Sequence, residues 1–440
     1  MYVFKTSVVQ IGRCDCDRVA RAHHVADTRR VRNSHVRMKS HPSRADIPRG
    51  FAFAATACGL KKAGLDLALL TSNTAAAAAA VFTTNRVQAA PVRLSREFLK
   101  KSGYKIRGVI VNSGNANCCT GPRGTAASRK TAAKVSRTLA CRPEEILVCS
   151  TGVIGVPLRV EKILNAIPQL ARNLNPHVAA FEQFTRAIMT TDTRPKWAAA
   201  KCSIRGKQVR IIGCAKGSGM IEPNMATMLG FLATDAAISP VLLSKALRTV
   251  VARTFNAITV DGDTSTNDTV TLLANGASDA RKITNESGHY RKFCAALEKV
   301  CRSLALAIVA DGEGAQRVIE IEVREAPSDY AADKIARTIA NSPLVKTAFA
   351  GADPNWGRIL AAAGRSGISF EPGRVDIHLA GIRVCRRGRE HVFNERVAHR
   401  KMLAKYVRVI VNLRAGNRSA RVWTCDFTGE YVRINASYRT

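Results

Sequence analysis

Lys216-Gly-Ser-Gly-Met-Ile-Glu-Pro-Asn-Met-Ala-Thr-Met-Leu229 is a polar loop of small residues that runs straight into the apolar segment 228–233. Glycine-rich turns of this kind are common. Here the lysine stands ahead of the glycines, so the order is not that of a phosphate-binding Walker loop. Thr227 stands where the loop meets the apolar run. A hydroxyl at such a junction is either a nucleophile or a threonine that merely starts a strand. Neither H-E-x-x-H nor G-x-S-x-G occurs, and no histidine lies between His177 and His289. A Ser-His-Asp triad would have to recruit one of those two from afar. A threonine can instead use its own α-amine as the base, because that group titrates near pH 8 beside the hydroxyl. This route requires cleavage of the Ala226–Thr227 bond.

Three further loops share the small, polar character. Ser150-Thr-Gly-Val-Ile-Gly155 follows the apolar run Ile146–Cys149. It is either a turn whose N–H groups face an anion or an ordinary end of a strand. Asn112-Ser-Gly-Asn-Ala-Asn117 is rich in amides, and Asp261-Gly-Asp-Thr-Ser-Thr-Asn-Asp268 has the composition of a calcium loop. The latter lacks the glutamate at the twelfth position of such loops, so no metal is expected there.

Around these loops the patterning is mixed α/β. Gly108–Val111, Ile146–Cys149, Val209–Ile212, Ala257–Val260, Thr269–Leu273 and Val318–Val323 read as strands. Helical spacing covers Thr125–Ala140, Arg159–Arg172 (with Pro168 expected to kink or end it), Pro240–Phe255, Tyr290–Ala310 and Asp329–Ile339. Val407, Val409, Val411 and Leu413 alternate with polar or charged neighbours as in a half-buried strand, and Ala420–Phe427 returns beside it. The run Ala75–Ala80 reads as small-residue packing. The expected class is an α/β, mixed-sheet layered architecture with a smaller β-rich C-terminal part.

Length and composition set limits on function. The 440 residues are 46% hydrophobic, enough for a real core and for two or three domains. No run is long and apolar enough for a membrane span. The 68 Lys and Arg against 33 Asp and Glu give a formal charge of +35, which raises a nucleic-acid reading. The basic residues are scattered, however, and aromatics are only 5%, so that reading is disfavoured. The 13 cysteines show no C-x-x-C spacing, and adjacency makes Cys118 and Cys119 a poor disulfide pair; the pattern as a whole matches neither a common zinc-site spacing nor a secreted disulfide framework. Residues 1–47, rich in arginine and histidine, read as a disordered or targeting extension. Metal binding by Cys14, Cys16, His23 and His24 within it is disfavoured.

The residues match a family in order. Val81-Phe-Thr-Thr-Asn-Arg-Val87, Val111–Asn117, Ser150–Gly155, Met189-Thr-Thr-Asp-Thr193, Lys216–Leu229 and Val260–Asp268 lead the series. Asp311-Gly-Glu-Gly-Ala315, Gly351-Ala-Asp-Pro-Asn-Trp-Gly-Arg358 and Ile434-Asn-Ala-Ser-Tyr-Arg-Thr440 complete it. Over residues 48–440 the chain resembles the ornithine acetyltransferases of arginine biosynthesis, also called glutamate N-acetyltransferases (ArgJ). The resemblance implies a precursor that cuts itself between Ala226 and Thr227 into an α chain, 48–226, and a β chain, 227–440. Two of each would form a heterotetramer. Thr227 would be the N-terminal nucleophile, taking acetyl from N-acetyl-L-ornithine and passing it to L-glutamate. Thr151 and Gly152 would form the oxyanion hole. Thr190, Lys216, Thr227, Glu313, Asn435 and Thr440 would bind substrate, Lys216 by pairing with a carboxylate or by its field on the Thr227 amine. Trp356 and Asp353 are expected to serve packing and turn formation.

The resemblance calls for no cofactor or metal and leaves open acetyl-CoA as a second donor. It implies a cytoplasmic enzyme, or an organellar one if 1–47 is a transit peptide. Two other functions compete: a self-processing amidase or aminopeptidase, and a basic nucleic-acid-binding protein on a decayed enzyme scaffold.

Overall fold

The computed structural model describes residues 42–222 and 228–437. The expectations for Cys14, Cys16, His23, His24, Ala226, Thr227 and Thr440 lie outside the described residues, as does most of the 1–47 extension. Packing begins ahead of residue 48. The Ala45 carbonyl accepts a 3.1 Å hydrogen bond from Arg210 Nε, and Ile47 is buried in the core.

Among the described residues the first sheet has eight strands. They are β1 (Phe51–Thr56), β2 (Leu67–Phe82), β3 (Lys105–Asn115), β4 (Ile146–Val153), β5 (Lys196–Ile204), β6 (Lys207–Lys216), β7 (Leu229–Thr234) and β8 (Thr269–Ala274). Their order is β4-β3-β2-β8-β7-β6-β5, with β1 also paired to β2. β3 runs parallel to β4 and β7 parallel to β8, and the remaining pairs are antiparallel. Helices α1 (Ala90–Lys101), α2 (Gly121–Thr138), α3 (Val160–Arg172), α4 (Val178–Ala187), α5 (Pro240–Arg253) and α6 (Gly288–Ala310) cover it.

The sheet is apolar on both faces, which is why its strands read as continuous hydrophobic runs. Along β7, Leu229, Phe231 and Ala233 join the core built with α1–α4, while Met228 and Leu232 join the one built with α5 and α6. Phe231 meets Phe184 of α4 edge-on, with ring centres 5.5 Å apart. The alanine run lies inside β2, which pairs with β8 over Ala77–Phe82 and packs beneath α5. Small side chains there let the helix approach the strand closely.

The C-terminal part follows as β9 (Val318–Ala326), α7 (Asp329–Ala340), α8 (Pro343–Ala350), α9 (Trp356–Gly364), β10 (Asp376–Leu379), β11 (Ile382–Arg386), β12 (Arg389–Glu390), α10 (Glu395–Met402), β13 (Tyr406–Asn412), β14 (Arg418–Cys425) and α11 (Gly429–Ala436). Its six strands form a second sheet, β12-β11-β10-β13-β9-β14. The predicted alternation holds. Val407, Val409, Val411 and Leu413 are buried with Ile319, Ile321 and Val323 against α7 and α9. On the opposite face Glu320 pairs with Arg408 at 3.2 Å and with Arg421 at 2.9 Å.

Two expectations fail. Ala257–Val260 is not a strand: Phe255–Ala257 is a 3-10 turn, followed by a single bridge from Ile258 to Trp423. This segment crosses between the two sheets, and its N–H groups bond the carbonyls of Trp423 and Ile221 rather than a neighbouring ladder. Pro168 does not end α3; the helix continues to Arg172. Ile163, Ile167 and Leu170 share one buried face, and their burial outweighs the single backbone bond that proline removes.

Candidate functional site

Thr151 and Gly152 end β4 against the backbone of β3. Gly152 has φ 131°, and a Cβ there would lie 2.4 Å from the Gly114 carbonyl carbon. Only glycine permits both the conformation and the approach. Asn267 ties this turn to the start of β8: its Nδ2 donates to the carbonyls of Ser150 (2.8 Å) and Ala116 (2.6 Å). Ser150 Oγ donates to Asn112 Oδ1 at 2.6 Å, and Asn112 Nδ2 to the Asn115 carbonyl at 2.9 Å. The amide-rich loop thus acts as the frame of the Thr151–Gly152 turn, with Thr151 itself buried.

The loop after β6 is fixed by carboxylates. The Gly217 N–H donates to Asp192 Oδ1 at 2.7 Å, and Thr190 N–H to Asp192 Oδ2 at 3.0 Å. Lys196, 1% exposed, lies 2.5 Å from Asp192 and 2.5 Å from Asp311. Asp311 also accepts the N–H and hydroxyl of Thr193. Asp261 receives the N–H groups of Met220 (2.6 Å) and Ile221 (2.8 Å). The aspartates of the calcium-like loop therefore include an anchor for the chain that leads into 223–227. The Ser218 carbonyl accepts the Glu313 N–H at 2.9 Å.

Glu313 is buried against Gly219, where a Cβ would lie 2.4–2.6 Å from its carboxylate atoms. Asn435, near the end of α11, donates Nδ2 to Glu313 Oε2 at 2.8 Å. Lys216 closes β6, paired to Leu229 of β7, which is in turn paired to Thr269 of β8. Loss of water around its ammonium lowers the Lys216 pKa, with Asp192 raising it and Lys196 lowering it further.

The end of β6 and the starts of β7 and β8 lie side by side at one edge. Lys216 stands there, beside the Asp192 that fixes Thr190 and the loop that meets Glu313 and Asn435, and Asn267, just ahead of β8, holds the turn that carries Thr151 and Gly152. The expected roles of Ala226, Thr227 and Thr440 lie outside the described residues, although Met228, next to Thr227 in sequence, accepts the Thr269 N–H at 3.1 Å. Trp356 opens α9 after the Asn355 cap, and Asp353 Oδ2 accepts from Asn355 Nδ2 at 3.1 Å, consistent with packing and turn roles.

Sequence reasoning missed Lys61, Asp192, Lys196 and Asn267. Lys61 Nζ donates to the Met189 carbonyl at 3.0 Å, and its side chain packs under Gly114. Burial lowers its pKa, and the Lys216 charge adds to that. The signal for Asp192 lay in the matched stretch 189–193, but Lys196 and Lys61 stand in no motif. A cavity of about 420 Å³ lies away from this edge, at the start of β3, lined in part by Ser72, Asn73 and Arg107.

The ArgJ family model matches residues 52–440. A relative from Thermotoga neapolitana, named an arginine biosynthesis bifunctional protein, is 46% identical over 398 residues, 90% of this chain and 100% of the relative. A relative of the same name from Symbiobacterium thermophilum is 48% identical over 396 residues, 89% of this chain and 98% of the relative. Among solved structures, a Mycobacterium tuberculosis ornithine acetyltransferase complexed with ornithine is 33% identical with a TM-score of 0.36, covering 42% of this chain and 97% of that one. The chain belongs to the ArgJ family.

Proposed function

We propose that this chain is an acyltransferase of arginine biosynthesis that moves acetyl from N-acetyl-L-ornithine to L-glutamate through an acetyl-threonine on Thr227. The observation that carries the reading is that Lys216 pairs with Leu229 at the start of β7, while Asn267, just ahead of the neighbouring β8, bonds the turn that carries Thr151 and Gly152. Family membership supports it, since the relatives are named for arginine biosynthesis.

The chemistry follows in steps. Cleavage between Ala226 and Thr227 gives an α chain that ends at Ala226, a β chain, 227–440, and a free α-amine on Thr227. That amine, neutral near pH 8, takes the hydroxyl proton as the oxygen attacks the acetyl carbonyl. The positive field of Lys216 helps keep it neutral. The Thr151–Gly152 turn supplies donors to the developing oxyanion, a contribution of about 3–4 kcal/mol in comparable sites. Ornithine leaves with the proton. The amine of glutamate then attacks the acetyl ester in the same site, and the acyl C–O bond to Thr227 breaks. The Thr227 α-amine carries the attacking amine's proton to the freed hydroxyl oxygen. Lys216 pairs with the α-carboxylate of the amino acid, and Glu313, held by Asn435, receives the free side-chain amino group of N-acetylornithine. Thr190 and Thr440 complete the substrate contacts.

The relatives' description as bifunctional supports acetyl-CoA as a second donor to glutamate. Two α and two β chains as the assembly, and a cytoplasmic location, come with the family resemblance. Among the described residues no helix is long and apolar enough to cross a membrane. The test combines intact mass under denaturing conditions with an acceptor assay. The proposal expects two chains divided at Ala226/Thr227, and glutamate that accelerates acetyl loss from N-acetylornithine. Acetyl loss indifferent to glutamate would identify an amidase instead.

A further inference from the structure

The adjacent thiols of Cys118 and Cys119 have no part in the chemistry above. In an extended chain successive side chains point to opposite sides. Here Cys119 has φ 57°, in the left-handed region, and the two sulfurs stand 3.7 Å apart. Cys119 is exposed and Cys118 lies just beneath it. Two thiolates about 2.3 Å from a tetrahedral d10 cation are separated by about 3.8 Å. The pair therefore already has the bite of a chelate.

We propose that Cys118 and Cys119 form a binding site for one thiophilic d10 cation, such as Zn²⁺ or Cd²⁺, and that occupancy slows acetyl transfer. Binding joins the metal to both sulfurs and releases the two thiol protons, with water filling the remaining positions. Among the described residues no cluster of three or more His, Cys, Asp or Glu suits a metal, so the site is a two-thiolate one.

The coupling rests on the oxyanion-hole role given above to Thr151 and Gly152. The Cys118 carbonyl accepts the Gly155 N–H at 3.0 Å, and the Ala116 N–H donates to the Val153 carbonyl at 2.9 Å. Both bonds tie the Cys118–Cys119 turn to the loop that carries Gly152. Asn115 lies against Gly152 from the other side, so a shift of 115–119 moves the floor of the turn.

The test is Cd²⁺ titration of the whole protein, read by the ultraviolet thiolate-to-metal band, with Zn²⁺ as competitor. One Cd²⁺ per chain is expected, weakened by about tenfold or more in Cys119→Ser and in Cys118→Ala. Cys119→Ser, altered at the surface, guards against misfolding of the buried variant. An unchanged band in Cys119→Ser overturns the site. Saturating Cd²⁺ should lower the acetyl-transfer rate of the natural protein about tenfold and leave Cys119→Ser unaffected. A saturated band with full activity overturns the coupling. A protein with a normal band but no transfer in metal-free buffer refutes the functional reading and leaves the site standing.

Discussion

Gly219→Ala tests the placement of Glu313 most directly. The added methyl would sit 2.4–2.6 Å from the Glu313 carboxylate atoms, well inside contact distance. The three atoms nearest to it all belong to that carboxylate. Gly219 is not among the glycines with positive φ, so alanine suits its backbone. The carboxylate is the movable end of a side chain, and the overlap is relieved by swinging it away. That breaks the 2.8 Å bond from Asn435 and withdraws the charge from the position assigned to the substrate amino group. A hydrogen bond to a charged group contributes about 1.5–3 kcal/mol. At 1.4 kcal/mol per tenfold, KM for N-acetylornithine should rise about 10- to 150-fold. The assay is ornithine release at saturating glutamate on protein shown by mass to be cleaved, with the melting temperature measured alongside. A KM within about twofold of the natural value would refute the role of Glu313 as the amine's partner. A rise in KM accompanied by a collapse in melting temperature would refute the local relief argued from the geometry.

Thr227→Ala should leave one uncut chain without transfer activity, seen by denaturing mass spectrometry, whereas Thr227→Ser should cut slowly. Gly152→Ala, forced to φ 131° with its Cβ 2.4 Å from Gly114, should lower kcat by about 10²–10³-fold in steady-state assays. Lys196→Met strands Asp192 and Asp311 without their shared cation and should cost about 3–5 kcal/mol in urea unfolding, measured on the uncut Thr227→Ala background. Burial raises the Asp192 pKa, but Lys196, Lys216 and the Gly217 N–H together bring it down from 3.8 to about 2. A depressed carboxyl stabilises the fold above its unfolded value, and that stability is lost as pH falls from about 4 towards 2. On the same uncut background, the stability gap to Asp192→Asn should shrink by about 2 kcal/mol over that interval; a constant gap rejects the assignment.

Patterning located the elements whose environment is uniform. The alternation in β13 and the apolar runs of β4, β6 and β8 were readable because each face of those strands meets one kind of surroundings. Ala257–Val260 was equally apolar, yet it bridges two sheets, and no local period encodes a crossing between layers. Pro168 misled for a related reason: the partner surface that holds α3 together lies elsewhere in the chain. Within the candidate site, Lys216 and Glu313 were legible through the ordered stretches that carry the family resemblance, since glycine-rich turns alone are common. Lys196 and Lys61 were not. Lys61 acts through the Met189 carbonyl and Lys196 through Asp311 as well as nearby Asp192, and a lone Lys and Asp four residues apart are too common to mark a site.

The pairing of β6 with β7 means that the proposed cut would change the order of the unfolding reaction. Lys216 to Ile211 are hydrogen-bonded neighbours of Leu229 to Thr234, and a cut at Ala226–Thr227 falls in the connection between them. The precursor folds as a single molecule. Once cut, the same sheet joins two chains, so complete unfolding becomes a dissociation and the apparent stability depends on protein concentration. Each tenfold dilution removes about 1.4 kcal/mol. Refolding from urea then requires an encounter that the precursor never needed. The proposed self-cleavage would in that sense act as a ratchet: the first folding event is unimolecular, and no later one could be.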